Sequence, residues 1–231
     1  MRGGWQVGGV ISHALFAYDQ RLYNGLSVVR SIGTRVDTVA FTLPGPERDQ
    51  WGGLLRATTP TTRFFSATGD VSWGATPIFR EAAPGRSLRI DAAVDFRPTT
   101  ALRSSLQLSR LTLVRERDGS RFSTETIPRL KTEYQVTPAI FLRLVGQYSA
   151  RFRSPLQDRN GNPILVGGVR DAGSTTNEFT LDGLFSYRPM PGTLVYLGYG
   201  STMDEPNQFR FQELRRTRDG FFGKVSYLFR L

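Results

Sequence analysis

Apolar and polar residues alternate along most of this chain, with the period of a β-strand. From Ala139 to Phe152 the even positions Ile140, Leu142, Leu144, Tyr148, Ala150 and Phe152 are apolar, with Gly146 among them. Arg143, Gln147, Ser149 and Arg151 occupy odd positions between them. Successive side chains of a strand point to opposite faces, so one face is apolar and the other polar. The segment predicts a strand well beyond the roughly 5–6 residues usual in globular proteins. A tilted strand needs about 9–11 residues to cross the hydrocarbon of a bilayer, so this length suits a membrane-crossing strand that extends past it.

The scheme recurs. Between Thr176 and Arg188, Phe179, Leu181, Phe185 and Tyr187 oppose Glu178, Thr180, Asp182, Ser186 and Arg188. Between Phe122 and Val136, Leu130, Tyr134 and Val136 oppose Glu125, Arg129, Lys131, Glu133 and Gln135. Ser87 to Arg97 sets Leu88, Ile90, Ala92, Val94 and Phe96 against Arg89, Asp91, Asp95 and Arg97. Phe65, Ala67, Val71 and Trp73 make another apolar face, and Trp5, Val7, Ile11 and Leu15 the first. In Ala101 to Val114 the phase slips after Leu108 to Leu111 and Leu113, which predicts a bulge near Arg110. The final stretch, Phe221 to Leu231, alternates again: Phe221, Val225, Tyr227, Phe229 and Leu231 against Lys224, Ser226 and Arg230.

The connections carry a second pattern. Tight, proline-bearing turns are predicted at Arg97 to Thr100, Val136 to Ala139 and Arg188 to Gly192. Long polar loops are predicted at Arg153 to Thr175 and Met203 to Arg218. Short turns at one end and longer loops at the other are the asymmetry of bacterial barrels. Counting segments gives about ten strands. Tyr18 to Gln50 is either one long outer loop or hides a further strand at Val36 to Leu43.

Composition changes this picture little. Hydrophobic residues make up 39% of the 231 positions and aromatics 12%, and there are 24 glycines. No window approaches the roughly 18 apolar residues of a membrane-spanning helix, but in a barrel only alternate residues meet lipid. With no cysteine, disulfides and thiolate metal sites are excluded, and the single histidine, His13, excludes a histidine-based metal site. The net charge of +10 invites a nucleic-acid reading, yet the 30 Lys and Arg residues are spread along the whole chain. Arginine predominates, which suits lipid phosphates or lumenal carboxylates. No binding motif accompanies the charge, so nucleic acid is not an expected partner.

The terminal strand Phe221 to Leu231 resembles the last strand of bacterial outer-membrane barrels, which their assembly machinery reads. More specifically, the chain resembles the C-terminal barrel of large bacterial outer-membrane proteins of unknown function that often carry a family-9-like carbohydrate-binding module ahead of the barrel. The resemblance lies in Thr137 to Tyr148, Asn177-Glu178-Phe179, Leu184 to Pro189, Pro191-Gly192-Thr193 with Leu197 to Gly200, Leu214 to Phe222, and Lys224 to Arg230. It is close from about Arg121 onward and loose before, where Tyr18 to Leu22 followed by Gly25 is the best echo. Leu231 stands where barrel signals favour an aromatic residue.

The expected fold is therefore all-β: an antiparallel up-and-down transmembrane β-barrel of about ten strands, either closed or the C-terminal part of a larger barrel. It forms a single domain over residues 1–231, expected to be a fragment without signal peptide or N-terminal module. The expected location is the bacterial outer membrane. The resemblance implies partners in outer-membrane lipid and lipopolysaccharide, in the assembly machinery through Phe221 to Leu231, and in carbohydrate through the N-terminal module. It brings no catalytic residues, and no cofactor or metal is expected.

Candidate lumen-facing charges are Arg129, Lys131, Glu133, Arg143, Arg151, Glu178, Asp182, Arg188, Lys224 and Arg230. They suit either a pore with an anion preference or a lumen laced by ion pairs; a narrow barrel's filled interior favours the latter. Arg210, Arg215, Arg216 and Arg218 form the densest basic cluster, expected on the outer side against lipopolysaccharide phosphates. Trp5, Trp73, Tyr134, Tyr148, Tyr187, Tyr199, Tyr227 and Phe229 suit interfacial girdles. Asp158 to Asn162 has the oxygen spacing of a calcium loop without its distal acid, and reads as an Asn-Gly turn.

The expected function is a membrane anchor or passage unit serving surface carbohydrate or peptide handling, without chemistry of its own. Three alternatives stand beside it: a passive pore with a basic lumen, a barrel hydrolase using His13, and a soluble β-sandwich binding module. Ser12 cannot serve His13 as a nucleophile, because neighbouring strand residues face opposite ways.

Overall fold

The structure, a computed structural model, describes residues 4–32 and 35–228. Phe229, Arg230 and Leu231, named above for the terminal strand, girdle and lumen, lie outside the described residues. The architecture is all-β, with one short 3-10 turn at Gln20–Tyr23 and no α-helix among the described residues.

Ten long strands make one antiparallel sheet, the wall. In spatial order they are β1 (Gln6–Phe16), β4 (Glu47–Thr58), β5 (Phe65–Ile78), β6 (Ala83–Phe96), β7 (Leu102–Arg115), β8 (Arg121–Thr137), β9 (Ile140–Arg153), β12 (Ser174–Tyr187), β13 (Thr193–Asp204) and β14 (Arg215–Tyr227). Each neighbour in space is the next long strand in sequence, as in an up-and-down meander. Among the described residues no pairing closes the sheet: β1 pairs with β4 and β14 with β13.

A smaller sheet of four short strands, β2 (Leu26–Ile32), β3 (Arg35–Ala40), β10 (Ile164–Val166) and β11 (Val169–Arg170), is built from two excursions at one end of the wall, and with them forms the cap. Ile164 lies opposite Val28 in it. The expected strand at Val36 to Leu43 thus exists in part, as β3, but in this second sheet and not in the wall.

Turns and loops segregate. At one end the connections are residues 59–64, 97–101, 138–139 and 188–192. Side chains nucleate them: the Thr99 Oγ1 accepts from the Ala101 and Leu102 amides, and the Thr137 Oγ1 from those of Ala139 and Ile140. The long excursions 17–46, 154–173 and 205–214 all leave the other end. Residues 79–82 and 116–120 at that end are short, so the asymmetry comes from three loops.

The wall's register is nearly unbroken, so its two faces can be followed strand by strand. One face runs through Val7, Leu55, Val71, Ile90, Leu106, Leu130, Leu144, Phe185, Leu197 and Val225, crossing all ten strands. Most of its large side chains are exposed, among them Ile11 at 80% and Phe221 at 82%, and most others, such as Ile90 and Phe185, are half-buried. The opposite face carries Arg56, Asp70, Asp91, Arg89, Lys131, Glu133, Arg143, Asp182 and Lys224. The apolar face is kept flat at one point by a glycine: a Cβ on Gly53 would meet the Trp73 ring at 2.6 Å, so the indole lies across the neighbouring strand where a side chain is missing.

The bulge expected near Arg110 is not there. The β6–β7 register is continuous, and Arg110 stays on the apolar face between Ile90 and Thr126. The nearest irregularity in β7–β8 falls between Leu113 and Val114. The phase change has another cause. Near the loop end, Leu111 and Leu113 turn to the polar face, and Leu113 packs on the buried cluster of the cap.

That cluster is the protein's core. Tyr23, Val28, Phe41, Ile78, Ala82, Phe122, Leu156 and Ile164 bury one another beneath the small sheet. Arg115 and Glu81, 5% and 0% exposed, pair inside it at 2.8 and 2.5 Å. Arg115 also donates to the Pro155 carbonyl, and the Gln157 amide donates to Glu81. One ion pair therefore ties together the 79–82 turn, the end of β7 and the 154–173 loop.

Candidate functional site: a basic trough on the polar face

The polar face is not uniform. On its first strands the cations are matched: Arg56 with Asp70 at 2.5 Å, Arg89 with Asp91 at 2.6 Å, Arg103 with Asp95 at 3.2 Å. Further on, Arg151 pairs with Glu125 at 2.5 Å and Lys131 with Glu133 at 3.2 Å. Arg129, Arg143 and Arg218 make no ion pair among the described residues.

Those three surround one cavity of about 560 Å³ over β8, β9, β12, β13 and β14, with Lys131 and Asp182. Three register rows build it. The first is Arg129, Gln147, Thr180, Thr202 and Arg218; the second Lys131, Val145, Asp182, Gly200 and Gly220; the third Glu133, Arg143, Leu184, Gly198 and Phe222. Glycines leave its floor low on β13 and β14. The Phe222 ring lies over Gly198, and the Asp182 carboxylate over Gly200, where a Cβ would stand 2.9 Å from it. Four cations, Arg129, Lys131, Arg143 and Arg218, stand against two carboxylates, Asp182 and the Glu133 paired with Lys131, and leave the trough a net positive field, concentrated by the low-dielectric walls of a concave surface.

Of the expected lumen charges, Arg129, Lys131, Glu133, Arg143, Arg151, Glu178, Asp182 and Lys224 share this face. Arg188 does not. It follows the end of β12, and its guanidinium donates to the Pro138 carbonyl at 3.3 Å, tying two turns together.

The expected outer basic cluster is divided by the strand register. Arg215 lies opposite Asp204 and Arg218 opposite Thr202 on the polar face, while Arg216 lies opposite Met203 on the apolar face and pairs with Asp219 at 3.3 Å. The register shift between Thr202 and Met203, with Thr217 the extra residue, makes the division. Arg210 sits in the 205–214 loop. Sequence proximity hid the membership of Arg218 in the trough; its unbroken parity with Gly220 and Phe222, on the near side of that shift, is what assigns it.

The 205–214 loop folds back over the apolar face. Phe209 and Phe211, both with left-handed backbone, stack on Tyr148 at 4.5 and 5.1 Å between ring centroids. The Tyr148 hydroxyl donates to Glu205 and accepts from the Phe209 amide, and the Phe211 amide donates to Glu205. Tyr148 is buried by this latch and belongs to no exposed girdle. Trp5, Trp73, Tyr134, Tyr187 and Tyr227 are exposed.

His13 lies on the apolar face beside Trp51, ring centroids 4.5 Å apart, with its Nε2 3.3 Å from Asp49 Oδ1. It has a carboxylate neighbour and no hydrogen bond to a serine among the described residues. In the 158–162 segment, Asp158 Oδ1 accepts from the Asn160 and Asn162 amides, and Gly161 has φ +86°. Its oxygens serve the turn, and the described residues hold no cluster of three metal-ligating side chains.

In the cap, the Arg153 guanidinium, bonded to both oxygens of Asp171 at 2.5 and 2.9 Å, holds that carboxyl below its ordinary range. Burial, with Glu47 beside it, pushes the Tyr18 phenol up.

The fold and trough define an antiparallel β protein with an exposed apolar face and a charged opposite face. Comparison of the chain with known protein families, curated proteins and solved structures finds no match.

Proposed function

We propose that the wall is a bacterial outer-membrane β-barrel serving as a membrane anchor or passage unit, without chemistry of its own. One observation carries this: an exposed apolar face that continues across all ten strands while the other face carries the charges. Soluble proteins rarely expose contiguous apolar patches above a few hundred Å². Between Phe65 and Trp73 the apolar positions of β5 run about 27 Å along the strand. At a tilt of about 35–45° that gives roughly 20 Å of height, near the apolar band of such barrels.

In lipid, unpaired strand edges are costly, so β1 and β14 require partners there. Ten is an even number, and β1 and β14 run in opposite directions with their apolar residues at odd positions, so pairing with each other keeps the apolar face continuous. The same wall fits the family resembled above, with its surface-carbohydrate association.

The experiment is expression with an export signal, followed by urea and carbonate extraction of outer membranes and gel migration with and without heating. An extraction-resistant, heat-modifiable product is expected. A freely soluble folded monomer contradicts the proposal and favours a soluble β module. Undiminished hydrolysis in His13→Ala, should any be found, separates that activity from His13.

A further inference from the structure

We infer that the trough between β8 and β14 binds an extended polyvalent oxyanion, a ligand carrying two or more phosphate or carboxylate groups along its length. On the same face Arg56, Arg89, Arg103 and Arg151 have carboxylate partners, whereas Arg129, Arg143 and Arg218 line one cavity and make no ion pair among the described residues. Arginine's planar fork is suited to oxyanions, and charge-assisted bonds are the strong ones. Arg129 and Arg218 stand at opposite ends of one register row, four strand spacings apart, about 19 Å along the sheet. A linear anion with spaced charges suits two arginines so placed.

The floor fits such a ligand. Gly220 has nothing within 4 Å of where a Cβ would stand, so the trough is open beside Arg218. Asp182 lies between the two ends and weakens the site. The site needs only the polar face as folded, whether or not the sheet closes in a membrane, so its failure and that of the membrane proposal are separable.

The test is calorimetric titration of the full chain, refolded in detergent, with tripolyphosphate, with trigalacturonate and with orthophosphate. Saturable binding of a trivalent probe is expected, with orthophosphate at least about tenfold weaker, and affinity falling with added salt. Which trivalent probe binds distinguishes a phosphate from a carboxylate ligand. Arg129→Gln and Arg218→Gln should each weaken binding by about tenfold or more, and Asp182→Asn should strengthen it. Gly220→Leu should block binding with every charge retained, and Arg89→Gln, on the same face outside the trough, should leave it within about twofold. Binding of neither trivalent probe, or equal losses in Arg89→Gln and Arg218→Gln, overturns the inference.

Discussion

The wall and the cap are made from the same residue types and solve opposite problems. Among the described residues, most buried apolar side chains lie in the cap's cluster, and Tyr148 lies beneath the 205–214 latch. The cap looks like any small soluble domain: apolar residues inside, a buried ion pair satisfied by backbone groups, polar residues out. The wall leaves Leu55, Trp73, Leu106, Leu144 and Leu197 open on one side, and holds together chiefly through its ladders. The same alternation that would make half of a sandwich core has nothing stacked on it here. Its stability is therefore tied to the solvent its apolar face meets, and the cap's is not.

Breaking the cap should have the largest effect. Glu81→Ala leaves the Arg115 guanidinium buried without its partner, at a cost of about 3–5 kcal/mol. Hydrogen exchange should show residues 154–173 and the small sheet released while the wall's amides stay protected.

The wall answers to charge on one face only. Leu144→Arg, in the middle of the apolar face, should cost about 2–4 kcal/mol in lipid. Ser109→Lys, on the polar face opposite Asp91, should cost close to nothing. Folding titrations in vesicles measure the pair, and equal costs would erase the distinction between faces.

Smaller is the latch. Tyr148→Phe removes the hydroxyl that links Glu205 to the Phe209 amide and should cost about 1–3 kcal/mol. Faster proteolysis within 205–214 is the readout.

Smallest is a pH effect confined to the cap. Asp171 has its folded value depressed below the ordinary 3.8, so its contribution is complete above that value and is lost as pH falls through the depressed one. Protection in the 154–173 loop, measured against the intrinsic exchange rate at each pH, should therefore fall below about pH 4, and Asp171→Asn should weaken the dependence.

The wall was largely legible in the sequence, because strand alternation is local: the pattern of Ile140 to Phe152 or Phe179 to Tyr187 needs no partner to be read. The cap was not. Ile164 and Val28 are far apart in the chain, and short segments such as β10 and β11 have too few residues to show a period. The slip after Leu108 carried real information in a misleading form, since it marks where the apolar side of β7 passes from the exposed face to the cap's core. In the trough, Arg129, Lys131, Arg143 and Asp182 were readable from parity. Arg218 shares the unbroken parity of Gly220, Phe222 and Lys224 and was hidden only by its basic neighbours, whereas Arg215 and Arg216 were not readable, because a one-residue register shift at Thr217 exchanges their faces. Whether the sheet closes stayed open between a complete barrel and part of a larger one, since pairing between chain-distant strands leaves no local mark.

The central claim is that the wall's two faces meet different solvents, and a cysteine scan of β9 tests it most directly. The chain has no native cysteine, so each introduced thiol reports alone. In vesicles, thiols at 140, 142 and 144 should resist an aqueous reagent and carry fluorophores quenched by lipid-borne nitroxides, while those at 141, 143 and 147 react freely. Alternation with a period of two is the predicted result. Uniform aqueous reactivity at both parities would contradict the account.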